Sequence, residues 1–496
     1  MKFANNSLLA CIVWRAYFLL TRLLRPCLGE RKMQGFMRFC RNARQRYFSE
    51  SAVPLAGKMP DVLDNLSASP VVPSWIVDEL HQLAAIEPAL YPKPALLGRY
   101  HAWQPGEDTY AAHLYKQLLD DFITSRPQIV FLVPHMMRGG ADLGVLHHVR
   151  LCLELGWRVT VVLTRDVESP WVHRLPVGAR VVEYGQMARH ASEEDRRLVL
   201  LRLLLQSPAT TIHLINSQIG WQIFAEFGKA LISSGKQLYA SLYCDDYDRN
   251  GIRCGYATDY LPTTWPSLHG IITDNERFKM DIRQRDGVPS ERLHSLYFPY
   301  VGKIADRYRG GKRILWAGRL AAQKRPQLLQ AIAAANPDIY FDVFGEIDPG
   351  ADTESVRRLQ VLPNVRLAGS FDDFSHIAGA GDYAAFLYTS AYDGLPNVLL
   401  EAAAAGLPIV APDVGGVSEL ISGRCGYLLP ELADADAFAQ TLREVLDNLP
   451  EAVSKALNAQ AVVRERHSWS AFKENLLSIP GYAPSNLQTI DTVALT

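Results

Sequence analysis

Thr389–Glu419 reads TSAYDGLPNVLLEAAAAGLPIVAPDVGGVSE, which parses as a loop, a helix, a buried strand and a Gly-Gly turn. Acids stand at both ends of the helix, Asp393 and Glu401, and a third, Glu419, follows Gly415-Gly416. Asp393 suits an N-cap, Gly394 lets a ligand approach the backbone closely, and Pro396 has the fixed φ of a first helical turn. The amides of Gly394 and Leu395 are then expected to point outwards at the positive end of the helix dipole, a place for an anion or a row of hydroxyls. Ala402 to Ala405 supply a smooth face for close packing.

Around this stretch the chain alternates strands and helices in two runs. The first has expected strands at Ile129–Val133, Arg158–Thr164, Ile212–Ile215, Gln237–Tyr243, Gly270–Thr273 and Leu293–Phe298. The second has them at Arg313–Trp316, Tyr340–Phe344, Val365–Ala368, Tyr383–Tyr388, Pro408–Ala411 and Gly426–Leu429. Such alternation predicts parallel, doubly wound sheets covered by helices. Ligands of these sheets bind beyond the carboxyl ends of the strands, so two facing domains hold theirs in the cleft between them. The expected organisation is a basic aromatic tail at 1–50, a mainly helical extension at 51–126, a first Rossmann-like domain at 127–298 and a linker at 299–312. A second Rossmann-like domain at 313–478 and a tail at 479–496 follow.

Residues 389–419 resemble the donor-sugar site of the family 4 retaining glycosyltransferases, of the bacterial surface-polysaccharide type and with the GT-B fold. The pattern there is E-G-x-P-x-x-x-x-E, a run of small residues and a Gly-Gly turn. Here Glu401 supplies the second acid and Asp393 replaces the first. A second motif, Gly318-Arg319-Leu320 with Lys324, resembles the family's G-R-L…K after the first strand of the second domain. A departing diphosphate needs its charge neutralised, and an Arg fork with a compact Lys does this without a metal. The resemblance implies that Asp393, Arg319 and Lys324 act at the reacting centre. It implies that Glu401, Gly394, Leu395, Pro396 and Glu419 bind the donor, Glu401 through the ribose and Glu419 near the diphosphate or the domain interface. Gly139 and Gly140, in a Gly-Gly-Ala-Asp turn where the family has G-G-A-E, belong to the same set. Gly345-Glu346, after a strand, either borders the nucleotide or is an exposed strand end.

Two departures stand out. Neither Asn216-Ser217 nor Cys244-Asp245-Asp246 carries the His that the family places at a first-domain strand end, leaving His135 as a substitute or as a plain structural histidine. Asp246-Tyr247-Asp248 is the D-x-D of the other large, metal-dependent glycosyltransferase fold, yet that fold leaves the second strand–helix run unexplained.

The implied function is retaining transfer of a hexose-type sugar from a nucleoside-diphosphate sugar to a glycan or lipid-linked acceptor, in surface polysaccharide or lipopolysaccharide assembly. The alternatives are a non-catalytic nucleotide-sugar-binding protein or a nucleotide-sugar epimerase on the same fold. Neither a metal nor a cofactor beyond the co-substrate is implied. At 48% hydrophobic and 21% charged residues the chain is an ordinary globular one, and its net charge of −1 argues against nucleic-acid binding. The charge is uneven: residues 1–50 carry ten Lys/Arg against Glu30 and Glu50, or +8, leaving −9 on the rest. Arg15 breaks the apolar run from Ser7 to Leu24, so the tail reads as an interfacial helix on an anionic membrane surface, or as a leader preceding a true start at Met33. Seven scattered Cys without metal spacing suggest reduced thiols and a cytoplasmic location, peripheral to the inner membrane face.

Overall fold

Short runs of β-branched, aliphatic and aromatic residues form parallel strands buried on both faces. Ile129–Val133 (β1), Val159–Leu163 (β2), Thr211–Ile215 (β4) and Tyr383–Leu387 (β13) are buried at every position. The computed structural model describes residues 74–92 and 110–484, apart from 249, 307, 309 and 349–352. The basic tail at 1–50, with its membrane-surface reading, and the segment holding Tyr100, His101 and Trp103 lie outside the described residues.

The first sheet adds Arg180–Val182 (β3), Gln237–Ser241 (β5), Gly270–Thr273 (β8) and Leu293–Ser295 (β9), in the order β3-β2-β1-β4-β5-β8-β9. Between β5 and β8 an antiparallel hairpin, Asp246–Tyr247 (β6) with Arg253–Cys254 (β7), stands outside the sheet. The second sheet contains Arg313–Ala317 (β10), Tyr340–Phe344 (β11), Val365–Gly369 (β12), β13, Ile409–Pro412 (β14) and Tyr427–Leu429 (β15), in the order β12-β11-β10-β13-β14-β15. All pairings in both sheets are parallel. The strand order reverses between β1 and β4, and again between β10 and β13, and such switch points open a crevice at the carboxyl ends. Each sheet has a hydrophobic core on both faces.

The helices Ser74–Ala84 and Tyr110–Ser125 are described parts of the expected extension, and they pack as a layer of the first domain. Leu83, Leu114, Tyr115, Leu118 and Phe122 share a core with Leu200 and Leu204 of the helix Glu193–Gln206. The chain also returns at its other end. Phe472 and Leu476 of the helix Trp469–Ser478, then Ile479 and Tyr482, lie in the core beneath β1 and β2 of the first domain. Residues 469–478, expected in the second domain, therefore complete the first. Polar bonds fix this return: Tyr482 Oη lies 2.7 Å from His213 Nδ1, Thr211 Oγ1 donates to the Tyr482 carbonyl at 3.1 Å, and Tyr239 Oη donates to that of Pro480 at 2.6 Å. His213 completes its pairing with Ser241 Oγ at 2.8 Å, and burial, with His148 beside it, holds the imidazole neutral. The two crossings between domains lie side by side, since Tyr300 donates its amide to the His467 carbonyl and His467 Nδ1 meets the Phe298 carbonyl, each at 2.8 Å. No helix among the described residues is long and apolar enough to cross a membrane.

Tyr482→Ala removes a buried ring and orphans His213, so it is expected to cost about 3–5 kcal/mol. Tyr482→Phe, which removes only the hydroxyl, is expected to cost about 1 kcal/mol. Chemical denaturation of the full chain measures both; unchanged midpoints would mean that the returning segment is no part of the first core.

Candidate active site

The buried strand β10 ends at Gly318-Arg319, where the loop packs against the loop that follows β11. Gly345 has φ +143°, and a Cβ there would lie 1.8 Å from the Gly318 carbonyl oxygen, so only glycine permits this approach. Leu320 then donates its amide to the Glu346 carbonyl at 2.8 Å. Gly345-Glu346 thus buttresses the Arg319 loop through backbone. A short turn, Ala322–Lys324, leads into the helix Pro326–Ala335 through Arg325 in the left-handed region. Arg325 donates to the carbonyls of Thr389 at 2.5 Å and Ser390 at 3.1 Å, and Gln323 Nε2 to that of Tyr392 at 2.9 Å. The loops on the two sides of the β10/β13 switch point are therefore one bonded unit.

This unit brings Lys324 and Asp393 into direct contact. Lys324 Nζ pairs with Asp393 Oδ2 and lies 3.5 Å from Tyr388 Oη, which donates to the same carboxylate oxygen at 2.5 Å. Burial first, and then the Asp393 charge, push the Tyr388 phenol far up, so it remains a hydrogen-bond donor. Arg319 is looser: its side chain is 63% exposed and meets Asp348 at 3.4 Å. Such an exposed pair contributes little, so the guanidinium can turn to a stronger anion.

Asp393 is not the helix cap expected from sequence. The helix is Asn397–Ala404, its N-cap position is Pro396, and no side chain caps it. The backbone after Asp393 turns back through Gly394, whose amide meets Asp393 Oδ1 at 3.2 Å. Gly415 (φ +51°) lies so near that a Cβ would stand 1.8 Å from the Asp393 carbonyl oxygen, which leaves no other residue possible at that turn. The Leu395 amide, expected to face a ligand, donates to Asp274 Oδ2 at 3.0 Å, and Leu395 itself is buried. Asp274 ends β8 of the first domain; burial pushes its carboxyl up to about 8, against the bonds from Asn275 and Leu395. Glu401, one turn into the helix, is half-buried, and desolvation with Asp373 nearby pushes it up to about 7.

Of the two places expected for Glu419, the structure gives the domain interface. Its carboxylate accepts from the amides of Glu276 (3.0 Å) and Arg277 (2.9 Å), the first turn of the first-domain helix Glu276–Asp286, and from Tyr297 Oη at 2.6 Å. Arg277 returns to Asp413, with 2.9 Å to its carboxylate and 3.2 Å to its carbonyl.

On the facing side, Gly139 is the N-cap of the helix Gly140–Glu154, and the Gly140 carbonyl is 3.5 Å from Asn397 Nδ2 across the cleft. Asp142 braces this turn by accepting from the Met137 amide at 3.0 Å. His135, Asp142, Arg165, Asn216, Asp246 and Tyr256 are among the residues lining a cavity of about 240 Å³ at the β1/β4 switch point. The two acids of the D-x-D part ways. Asp248 accepts from the amides of Asn250 (2.8 Å) and Ile252 (2.9 Å) and so builds the β6–β7 turn. Asp246 faces the cavity, raised first by burial and then by the charges of Asp245 and Asp393. No group of three or more metal-ligating side chains occurs among the described residues. Tyr388, Asp274, Tyr297, Arg277 and Arg165 were not singled out from sequence; Asp274-Asn275 alone carried a signal, a capping Asn after a buried strand, and Asn275 Oδ1 does accept from the Phe278 amide at 2.7 Å.

Residues 311–448 match the family profile described as Glycosyl transferases group 1. The chain is 28% identical over 166 residues to the O-antigen biosynthesis glycosyltransferase WbnH of Escherichia coli, which covers 33% of this chain and 46% of that protein. It is 30% identical over 135 residues to a GDP-mannose-dependent alpha-mannosyltransferase of Mycolicibacterium smegmatis, covering 27% and 33%. The match therefore spans under half the length of these curated relatives. Among solved structures, Anabaena HepE in complex with UDP and glucose superposes with a TM-score of 0.58 at 17% identity, covering 71% of this chain and 98% of that one. A UDP-containing complex of S. aureus TarM gives 0.56 at 13%, covering 71% and 99%. The chain has the GT-B fold, and its match to the glycosyl transferases group 1 profile falls on the second domain.

Proposed function

We propose that this protein is a retaining glycosyltransferase that moves a hexose-type sugar from a nucleoside-diphosphate sugar to a glycan or lipid-linked acceptor in surface polysaccharide or lipopolysaccharide assembly, at the cytoplasmic face of a membrane. The observation that carries the reading is the contact between Lys324 and Asp393 at the β10/β13 switch point, with Arg319 on the same loop as the lysine. The names of the O-antigen and mannosyl relatives support the reaction class, and the UDP complexes of the structural neighbours support the kind of ligand.

In this reading the donor diphosphate draws Arg319 from Asp348 and shares Lys324 with Asp393. Asp393, Tyr388 and the Gly394 amide then meet the hydroxyls of the transferred sugar, and Glu401 accepts from the ribose hydroxyls. The bond from the anomeric carbon to the diphosphate oxygen breaks while the acceptor oxygen bonds to the same face of that carbon. The acceptor proton passes to the leaving diphosphate, and two cations hold the charge that develops there. Removing one such group costs about 3 kcal/mol of transition-state stabilisation.

A thermal-shift series with UDP, GDP, ADP and CMP, with and without Mn²⁺, tests the donor site. One nucleoside diphosphate is expected to raise the melting temperature without metal, by roughly 2.7 kcal/mol of added stability at 100 times its Kd. Arg319→Ala and Lys324→Ala should each lose most of that gain, and Lys324→Ala should lower kcat by about 10²–10³-fold. A shift that requires Mn²⁺ and vanishes in Asp246→Asn would instead support the metal-dependent mode.

Glu401 gives a pH signature. Its folded pKa is raised to about 7, above an unfolded value of about 4.3. The ligand-free fold thus favours the protonated acid, and the associated stability is lost as pH rises through about 7. Ribose binding to the carboxylate has the opposite sign. Nucleotide affinity, taken relative to Glu401→Gln to cancel titration of the ligand, is expected to rise about tenfold from pH 6 to pH 8. A flat ratio would remove Glu401 from the donor site.

A further inference from the structure

The cavity at the β1/β4 switch point holds polar groups that the donor chemistry leaves unused. It is lined by Val133 to His135 after β1, Arg165 beyond β2, Asn216 after β4 and Asp246 beyond β5. Strand order therefore spreads these residues across the pocket. Arg165 follows β2 and Asp246 belongs to the hairpin that follows β5, and the charges of both act on the Tyr256 hydroxyl in the same lining. The cavity therefore holds a cation and a carboxyl group.

Two of its side chains make no hydrogen bond or ion pair among the described residues, and a third, His135, meets the Asp142 carboxylate at 3.5 Å. Arg165 has no ion pair among the described residues, although its backbone is fixed by its amide bond to the Pro134 carbonyl at 2.9 Å and by Gly185 packed on its own carbonyl. Tyr256, another lining residue, lies within electrostatic reach of this guanidinium. His135 Nδ1 is buried without a hydrogen bond, its nearest acid being Asp142 at 3.5 Å. Asn216 sits at φ +56° and its side chain makes no hydrogen bond among the described residues. A non-glycine residue in that conformation persists where the surroundings hold it. The cavity also abuts the Asp393 loop: Tyr247, next to Asp246, packs against Tyr392 with ring centroids 5.0 Å apart and the rings tilted by 55°, and Asp246 feels the Asp393 charge.

We propose that this cavity is the acceptor pocket and that it selects an acceptor sugar bearing an anionic substituent, carboxylate or phosphate, paired with Arg165. His135 and Asn216 hold ring hydroxyls, and Asp246 positions the accepting hydroxyl beside Asp393. The inference rests on the transferase reading above, but its test separates from that reading.

The full-length protein, saturated with whichever nucleoside diphosphate raises its melting temperature, is titrated calorimetrically with glucose, glucose 6-phosphate, glucuronate and inorganic phosphate. At least one anionic sugar is expected to bind about tenfold or more tightly than glucose, and the better of the two identifies the substituent. Arg165→Ala should abolish that preference, Arg165→Lys should restore part of it, and both should keep the nucleotide-induced shift. Equal binding of glucose and the anionic sugars, a preference that survives in Arg165→Ala, or no binding by any probe overturns the anionic pocket. Binding of inorganic phosphate as tightly as the anionic sugars marks an adventitious ion site and overturns it too. Loss of the nucleotide shift in the wild-type protein fails the transferase reading, independently of the sugar titrations.

Discussion

Everything in the cleft depends on the two switch points facing each other, and one carboxylate does much to hold them so. Glu419 of the second domain occupies the amide end of the first-domain helix Glu276–Asp286 and accepts the Tyr297 hydroxyl. An anion there meets the positive end of a helix dipole, an interaction of about 0.3–2 kcal/mol depending on burial. Arg277 on the same first turn reaches back to Asp413, so charge is exchanged in both directions. A contact of this size holds an orientation without locking it, which suits domains that must admit a ligand between them.

The second-domain side of the cleft is organised around a paired charge. Lys324 is satisfied by Asp393, which avoids burying an unpaired cation. Tyr388 gives Asp393 a second partner that does not compete for the lysine's charge. This arrangement also gives a physical account of Asp where the resembled pattern has Glu. The Asp393 carboxylate is reached by Lys324 from the neighbouring loop and by Tyr388 from the start of its own, and Gly415 lets the backbone behind it close in. Further along the cleft, Glu401 and Asp274 are both raised by burial, so this part of the cleft carries less negative charge than its acids suggest. In the proposed function that lowers the repulsion met by a diphosphate.

The long, uniformly apolar strands and the motif positions were legible in the sequence because both are local properties. β1, β11 and β8 occupy the spans expected for them, and β10 and β13 differ by a residue at one end. Each is a run of buried residues with turn signals beside it. The elements that escaped are short: β3 is three residues with one buried, and the β6–β7 hairpin is two residues on each strand, below the length at which a period shows. The alliance of Arg319, Lys324, Asp393 and Glu401 was readable as residue types at a spacing. Their partners were not: Asp348 and Asp373 come from separate loops, and Tyr388, on the same loop as Asp393, meets it only because that loop turns back.

The sequence by itself determined two parallel sheets, the loops that end their central strands, and the cations and acids those loops carry. Hydrophobic runs and glycines dictate these over a few residues. Only the tertiary structure decided which groups meet. It gave the Leu395 amide to Asp274, Glu419 to the helix at Glu276, and Tyr482 to His213 at a separation of 269 residues. It also brought Arg165 and Asp246 to the lining of one cavity. Those pairings follow from how strands order within a sheet and how one domain rests on another, and no local pattern along the chain encodes either.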